Sequence, residues 1–178
     1  VGKQAGTCDI TIPHTTKKAS GKVMYRVTVN AKDLHAGKKL TLVKVDKKTG
    51  EKVLISSRTY KVSKDGTVTA DTKDAGDYVL LNEKDAKALS SKILKSVALK
   101  DTKKTVANGK KAKVTFDKNL NMENVKNITY TSSKKSVVTV NKNGTIVAKK
   151  AGKAVVKVKV TLKNGKTKTV KMTIKVTK

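Results

Sequence analysis

The chain has 178 residues, a formal net charge of +29 from 42 Lys plus Arg against 13 Asp plus Glu, and one cysteine. Such a length fits one large domain or two small ones; the lone Cys8 excludes an intrachain disulfide, and no apolar run approaches the ~18 residues of a helical membrane span. Arg26 and Arg58 are the only arginines, which makes the surface a lysine surface, and the few aromatics (Tyr25, Tyr60, Tyr78, Phe116, Tyr130) leave the cores to Val, Leu, Ile and Ala.

Val, Ile and Thr recur beside single polar residues, the period of half-buried strands, and predict an all-β fold. In the first half the expected strands are Asp9 to Ile12, Lys22 to Val29, Lys39 to Val45, Val53 to Val62, Thr67 to Ala70 and Tyr78 to Leu81. Turn signals at Ser20-Gly21, Ala36-Gly37, Thr49-Gly50, Asp65-Gly66 and Ala75-Gly76 separate them, as in a sandwich. Asn82 to Lys95 breaks the pattern, and its Glu83 to Leu89 segment is rich in helix formers, predicting one short helix. The β pattern then restarts with Val97 to Leu99, Lys113 to Phe116, Ile128 to Ser132, Val137 to Val140, Thr145 to Ala148, Ala154 to Leu162 and Thr169 to Val176.

This reading places a domain boundary near residue 96, giving domains over 1–96 and 97–178. Charge divides unevenly there: 20 basic and 10 acidic side chains before it (net +10), 22 and 3 after it (net +19). The halves also echo each other. Ser63 to Ala70 aligns with Asn141 to Ala148, Asp74-Ala75-Gly76 with Lys150-Ala151-Gly152, and Gly37-Lys38-Lys39 with Gly109-Lys110-Lys111. An internal repeat argues for one architecture in both halves; the alternative is that any two sandwiches share a turn, a strand and an Ala-Gly turn.

Little in the chain points to catalysis. His14 and His35 lie in different turn-rich segments without Cys, Asp or Glu at a ligand spacing, and no serine sits in a Gly-x-Ser-x-Gly context. Asp65, Asp71, Asp74 and Asp77 form the densest acidic cluster, but it lacks the calcium-loop spacing and reads as turn-forming aspartates. No Gly-rich phosphate loop opens a helix. The expectation is a non-enzyme with no cofactor and no metal.

Tyr130 to Gly152, reading Y-T-S-S-K-K-S-V-V-T-V-N-K-N-G-T-I-V-A-K-K-A-G, resembles the bacterial immunoglobulin-like domain, group 2. Val97-Ala98-Leu99 resembles the family's entry strand, Asn108 to Lys111 its Gly-containing turn, and Ile128 to Ser133 its aromatic-then-serine strand, with Tyr130 where Trp is common. Asn143-Gly144 is expected to supply positive φ for a tight hairpin turn. In the first half Val23 to Val27, Lys44 to Gly50, Thr59 to Val62 and Gly76 to Leu81 look like a β-module of Gram-positive surface proteins, an Ig-like or fibronectin-like sandwich. The resemblance implies two tandem immunoglobulin-like β-sandwiches joined by a short helical linker, at the bacterial cell surface or secreted. The chain opens at Val1 with neither initiator Met nor apolar leader, as expected of a piece of a longer precursor.

Two readings of function remain. One is a structural or adhesive spacer that presents neighbouring domains, with an accessory module of a surface glycoside hydrolase as a variant. The other rests on the last two strands, where Val156, Val158, Val160 and Leu162 and then Val170, Met172, Ile174 and Val176 alternate with lysines and threonines. If these strands pair through Asn164-Gly165, matching the faces requires an odd loop of three or five residues. Lys157, Lys159, Lys171 and Lys175 then share one solvent face, either as a solubilising surface that discourages edge pairing or as a platform for anionic wall polymers, teichoic acids or acidic glycans. Nucleic acid fits less well, since base-reading arginines and stacking aromatics are scarce.

Overall fold

The computed structural model describes residues 8–12, 25–31, 35–73 and 75–178. Ser20-Gly21, His14 and Asp74 lie outside them; His35 is exposed. The chain divides into two compact units, Val1–Ser90 and Ser91–Lys178. No helix among the described residues is long and apolar enough to cross a membrane.

The first unit holds β1 (Cys8–Ile12), β2 (Tyr25–Asn30), β3 (Lys39–Val45), β4 (Lys52–Lys61), β5 (Thr67–Thr72) and β6 (Gly76–Leu81). They form one sheet in the order β1-β6-β3-β4 and a second of β2 and β5, with every pair antiparallel. Residues two apart share a strand face, so Leu40 and Leu42, Val68 and Ala70, and Tyr78 and Leu80 converge on one core with Tyr60. Tyr78 buries its ring and still satisfies its hydroxyl, which accepts from Thr72 Oγ1 at 2.8 Å.

The expected helix is α1 (Glu83–Ser96). Asn82 caps it, its Oδ1 accepting from the Asp85 amide at 2.8 Å. At the other end Lys168 Nζ donates to the carbonyls of Leu94 (2.8 Å) and Lys95 (3.4 Å), a cation where the last carbonyls lack partners.

The second unit holds β7 (Lys103–Ala107), β8 (Lys111–Lys113), a 3₁₀ turn at Met122–Asn124, β9 (Val125–Ser132), β10 (Val138–Val140), β11 (Thr145–Ala148), β12 (Gly152–Leu162) and β13 (Thr167–Thr177). Its sheets run β7-β13-β12-β9 and β10-β11-β8. Their inner faces enclose one core, including Val138 and Ile146 from one sheet and Val156, Val158, Met172 and Ile174 from the other. This is an immunoglobulin-like sandwich. Its opening segment first bridges Phe116 at Leu99, then crosses to pair β7 in parallel with β13.

Several boundaries correct the sequence reading. Val97 to Leu99 is no strand, because α1 runs to Ser96 and only Leu99 pairs. Lys113 to Phe116 shifts to Lys111–Lys113, and β7 appears where no strand was expected. Asn143 does not have positive φ; among the described residues only glycines do. The hairpin instead uses the three-residue loop Lys142-Asn143-Gly144, with Gly144 at φ 74° and its amide donating to Asn141 O at 3.0 Å. Asp71 and Asp77 are strand residues rather than turn residues.

The repeat is borne out at one block and not at another. Ser63 to Thr67 forms the same loop as Asn141 to Thr145: the outer residues bond at 2.9 and 3.0 Å, and Gly66 and Gly144 have φ of 76° and 74°. The residue after the neighbouring strand donates to that glycine's carbonyl in both cases, Ala31 to Gly66 at 2.7 Å and Val114 to Gly144 at 2.9 Å. Gly37 and Gly109 share a positive φ but not a place, since Gly37 precedes β3 and Gly109 precedes β8. Each serves its own turn, where its backbone takes a conformation that a residue with a Cβ would resist. The units differ as well in that β4 stays beside β3, whereas β10 pairs with β11.

Candidate functional site

On β12 and β13 the even residues Ala154 to Leu162 and Met172 to Val176 are buried, Lys168 and Val170 are half-buried, and the odd residues face outward. The chain reverses through Lys163-Asn164-Gly165, a three-residue loop closed by Leu162 N to Lys166 O at 2.8 Å, with Gly165 at φ 85°. That odd loop keeps even opposite even, and Lys157, Lys159, Lys171 and Lys175 lie together on the outer face. Lys157 stands directly opposite Lys171; Lys159 stands opposite Thr169 and Thr129; Lys175 faces Lys153.

The full face is wider than those four residues. Lys153 is the second residue of β12, just ahead of the strand start read from sequence, and Lys103 lies on β7, aligned with Thr173. Around the six lysines stand Thr105, Asn127, Thr129, Thr131, Thr161, Thr169, Thr173 and Thr177, and no outward position of these four strands is acidic. The unit's acids, Asp101, Asp117 and Glu123, all lie outside the strands. Neighbouring strands are about 4.8 Å apart and i, i+2 side chains about 6.8 Å, so ammonium and hydroxyl groups form a regular two-dimensional array.

Directly opposed like charges destabilise a sheet. Lys171→Glu is therefore expected to stabilise the second unit by about 0.2–1 kcal/mol by facing Lys157 with a carboxylate. Urea unfolding at low salt measures it, and the gain shrinks as salt screens the pair. A loss of stability would mean that the two ammonium groups do not repel across this rung.

The chain's two arginines form a second cluster in the first unit. Arg26 Nε donates to Asp71 Oδ1 at 2.9 Å across the β2–β5 pair, and Arg58 Nη1 reaches Asp71 Oδ2 at 3.5 Å from β4. Arg58 also lies 5.3 Å over the Tyr60 ring, whose hydroxyl donates to Asp71 O at 3.1 Å. The Arg26 guanidinium holds the Asp71 carboxyl below its ordinary value of 3.8, against the opposing effect of burial. Asp71 thus ties the two sheets of this unit together. Sequence spacing held no sign of it, because Arg26 and Asp71 are 45 residues apart.

Within the family-like motif the residues have structural roles. Ser133 prolongs the β9–β12 ladder, its amide donating to Val155 O and its Oγ accepting from Val155 N, both at 2.9 Å. Burial pushes the Tyr130 hydroxyl above its ordinary value of 10.0. Among the described residues, no group of three or more His, Cys, Asp or Glu is placed to hold a metal ion.

No curated protein sequence matches the chain. Among solved structures, the chain is similar to domains 4 and 5 of the S-layer protein SbsC, at 18% identity and a TM-score of 0.38, over 92% of this chain and 82% of that one. It is also similar to domains 1–6 of the surface layer protein SbsC (17% identity, TM-score 0.35, 80% of this chain and 28% of that one). A third is the S-layer protein rSbsC(31-844) (16% identity, TM-score 0.37, 96% and 34%). Residues 93–177, which span both sheets of the second unit and its lysine face, match the family model of the bacterial Ig-like domain (group 2).

Proposed function

We propose that this chain is a non-catalytic structural and adhesive segment of a bacterial cell-surface or secreted protein, a spacer that presents neighbouring domains of a longer chain. The same reading divides it into an Ig-like or fibronectin-like sandwich over 1–96 and a group 2 Ig-like domain over 97–178. The family match over 93–177 supports it.

The observation that carries the reading is the parallel pairing of β7 with β13, from Lys103 beside Thr173 to Ala107 beside Thr177. The first and last strands of the unit run side by side in one direction, so the chain enters at one end of the ladder and leaves at the other. Tension along the chain then acts along the strands and strains the ladder bonds together, since they run between strands. This geometry suits a segment that transmits tension, because forced unfolding is governed by the unfolding rate and shear loads many ladder bonds at once.

Single-molecule pulling on the full chain tests it. Handles ahead of β7 and after Thr177 load the ladder in shear. A second handle moved to Gly165, at the same end as Lys103, unzips it bond by bond. The shear geometry is expected to unfold the second unit at the higher force; equal forces in the two geometries would overturn the reading.

A further inference from the structure

We propose that the outer face of the β7-β13-β12-β9 sheet is a docking surface for a linear polyol-phosphate polymer, a chain of phosphodiesters separated by short hydroxylated linkers. This goes beyond the spacer reading and does not depend on it. Three observations carry it. The face holds six lysines, Lys103, Lys153, Lys157, Lys159, Lys171 and Lys175, and no outward acid. Two of its rungs set lysine directly against lysine, Lys157 with Lys171 and Lys153 with Lys175, an arrangement that costs stability and that a bound anion would relieve. A surface built for solubility alone intersperses both signs of charge.

The neighbours of the lysines select among polyanions. Val155 separates Lys153 from Lys157, but Thr173 lies between Lys171 and Lys175, and Thr129, Thr131 and Thr169 stand across from Lys157 and Lys159, so a ligand meets hydroxyls beside ammonium groups, the pattern of a polymer that alternates phosphate with polyol. A lysine ammonium is a compact, strongly hydrated point charge that suits single phosphate oxygens, whereas planar bidentate recognition calls for arginine. No arginine lies on the sheet, and its one aromatic, Tyr130, is on the inward side of β9, so bases have nothing to stack on. Along the strands Lys157 and Lys159 stand about 6.8 Å apart, and Lys153 and Lys157, like Lys171 and Lys175, about twice that, so phosphates of an extended chain meet lysines at multiples of one spacing.

The test is titration of the full chain with a glycerol-phosphate oligomer, with oligothymidylate as the comparison, across a salt series. The oligomer is expected to bind at low salt, with log K falling linearly with log salt, and more tightly than oligothymidylate. Changing Lys153, Lys157, Lys171 and Lys175 to Gln should weaken binding about tenfold or more and reduce the salt slope by roughly 2–3. The same change at Lys38, Lys48, Lys64 and Lys84, equally exposed in the first unit, should leave binding within about twofold. The face variant should melt no lower than the parent, because it removes like-charge repulsion, so lost binding cannot be read as lost folding. Equal loss in the two variants would reduce the effect to net charge; tighter binding of oligothymidylate would assign the face to nucleic acid; no binding at low salt would remove the site. Any of the three overturns the proposal.

Discussion

Ile146→Ala is expected to destabilise the second unit by about 2–5 kcal/mol, the range for emptying an aliphatic core position. Ile146 is fully buried at the centre of the smaller sheet, paired with Val140 on one side and Ala112 on the other, and faces the residues of β12 and β13. The fully buried residues of this core are all aliphatic or Met, closely packed, with the rings of Phe116 and Tyr130 only partly buried against them. Domains carry about 0.05–0.15 kcal/mol of net stability per residue, so the loss would be a large share of what this unit has. Amide exchange in β12 and β13 under urea reads it without interference from the first unit. Val155→Ala, on the outer face of the larger sheet, should stay within about 0.5 kcal/mol. Similar costs at the two positions would mean that the sandwich does not close over Ile146.

The alternation that identified β12 and β13 was legible because each strand has one buried and one wet face, so period 2 survives in the sequence. Their register was legible too, since parity alone demands an odd loop once the faces are known. β7 was not, because Lys103-Lys104-Thr105-Val106-Ala107 buries only Val106; it is a strand because the open edge of β13 gives its backbone a partner. Four of the six face lysines followed from alternation, and the two missed ones follow from the same limits: Lys103 sits on that unexpected strand and Lys153 near a strand start set two residues late. The strand expected over Tyr78 to Leu81 lies within β6, where all four residues are buried, so it shows no alternation of faces. The arginine cluster depends on which strands of two sheets come together, which local pattern does not encode. Asn-Gly was read correctly as a hairpin with a left-handed glycine; that Asn143 keeps negative φ depends on where the flanking ladder closes, which the dipeptide does not encode.

Gly144→Ala is expected to cost more than Gly165→Ala, although both glycines close three-residue hairpin loops of the same unit with φ of 74° and 85°. At Gly165 nothing lies within 4 Å of where a Cβ would sit, so alanine there meets only the left-handed backbone penalty, roughly 1–2 kcal/mol. At Gly144 the added Cβ would lie 3.0 Å from Tyr130 Cζ and 3.1 Å from its Oη. Tyr130 is on β9 in the larger sheet and Gly144 is at the tip of the β10–β11 hairpin in the smaller one, so the ring spans the two sheets beside the glycine. Moving it disturbs packing beside Val158 and adds an overpacking cost of about 1–3 kcal/mol. Thermal unfolding of the two variants separates conformational from steric cost, because the backbone contribution is common to both. The cycle with Tyr130→Phe assigns the steric part: removing Oη takes away one of the close contacts, and a coupling of at least about 0.5 kcal/mol is expected for groups in contact. Equal costs for the two glycines, or no coupling, would mean that the ring gives way freely and that Gly144 is required for its backbone conformation alone.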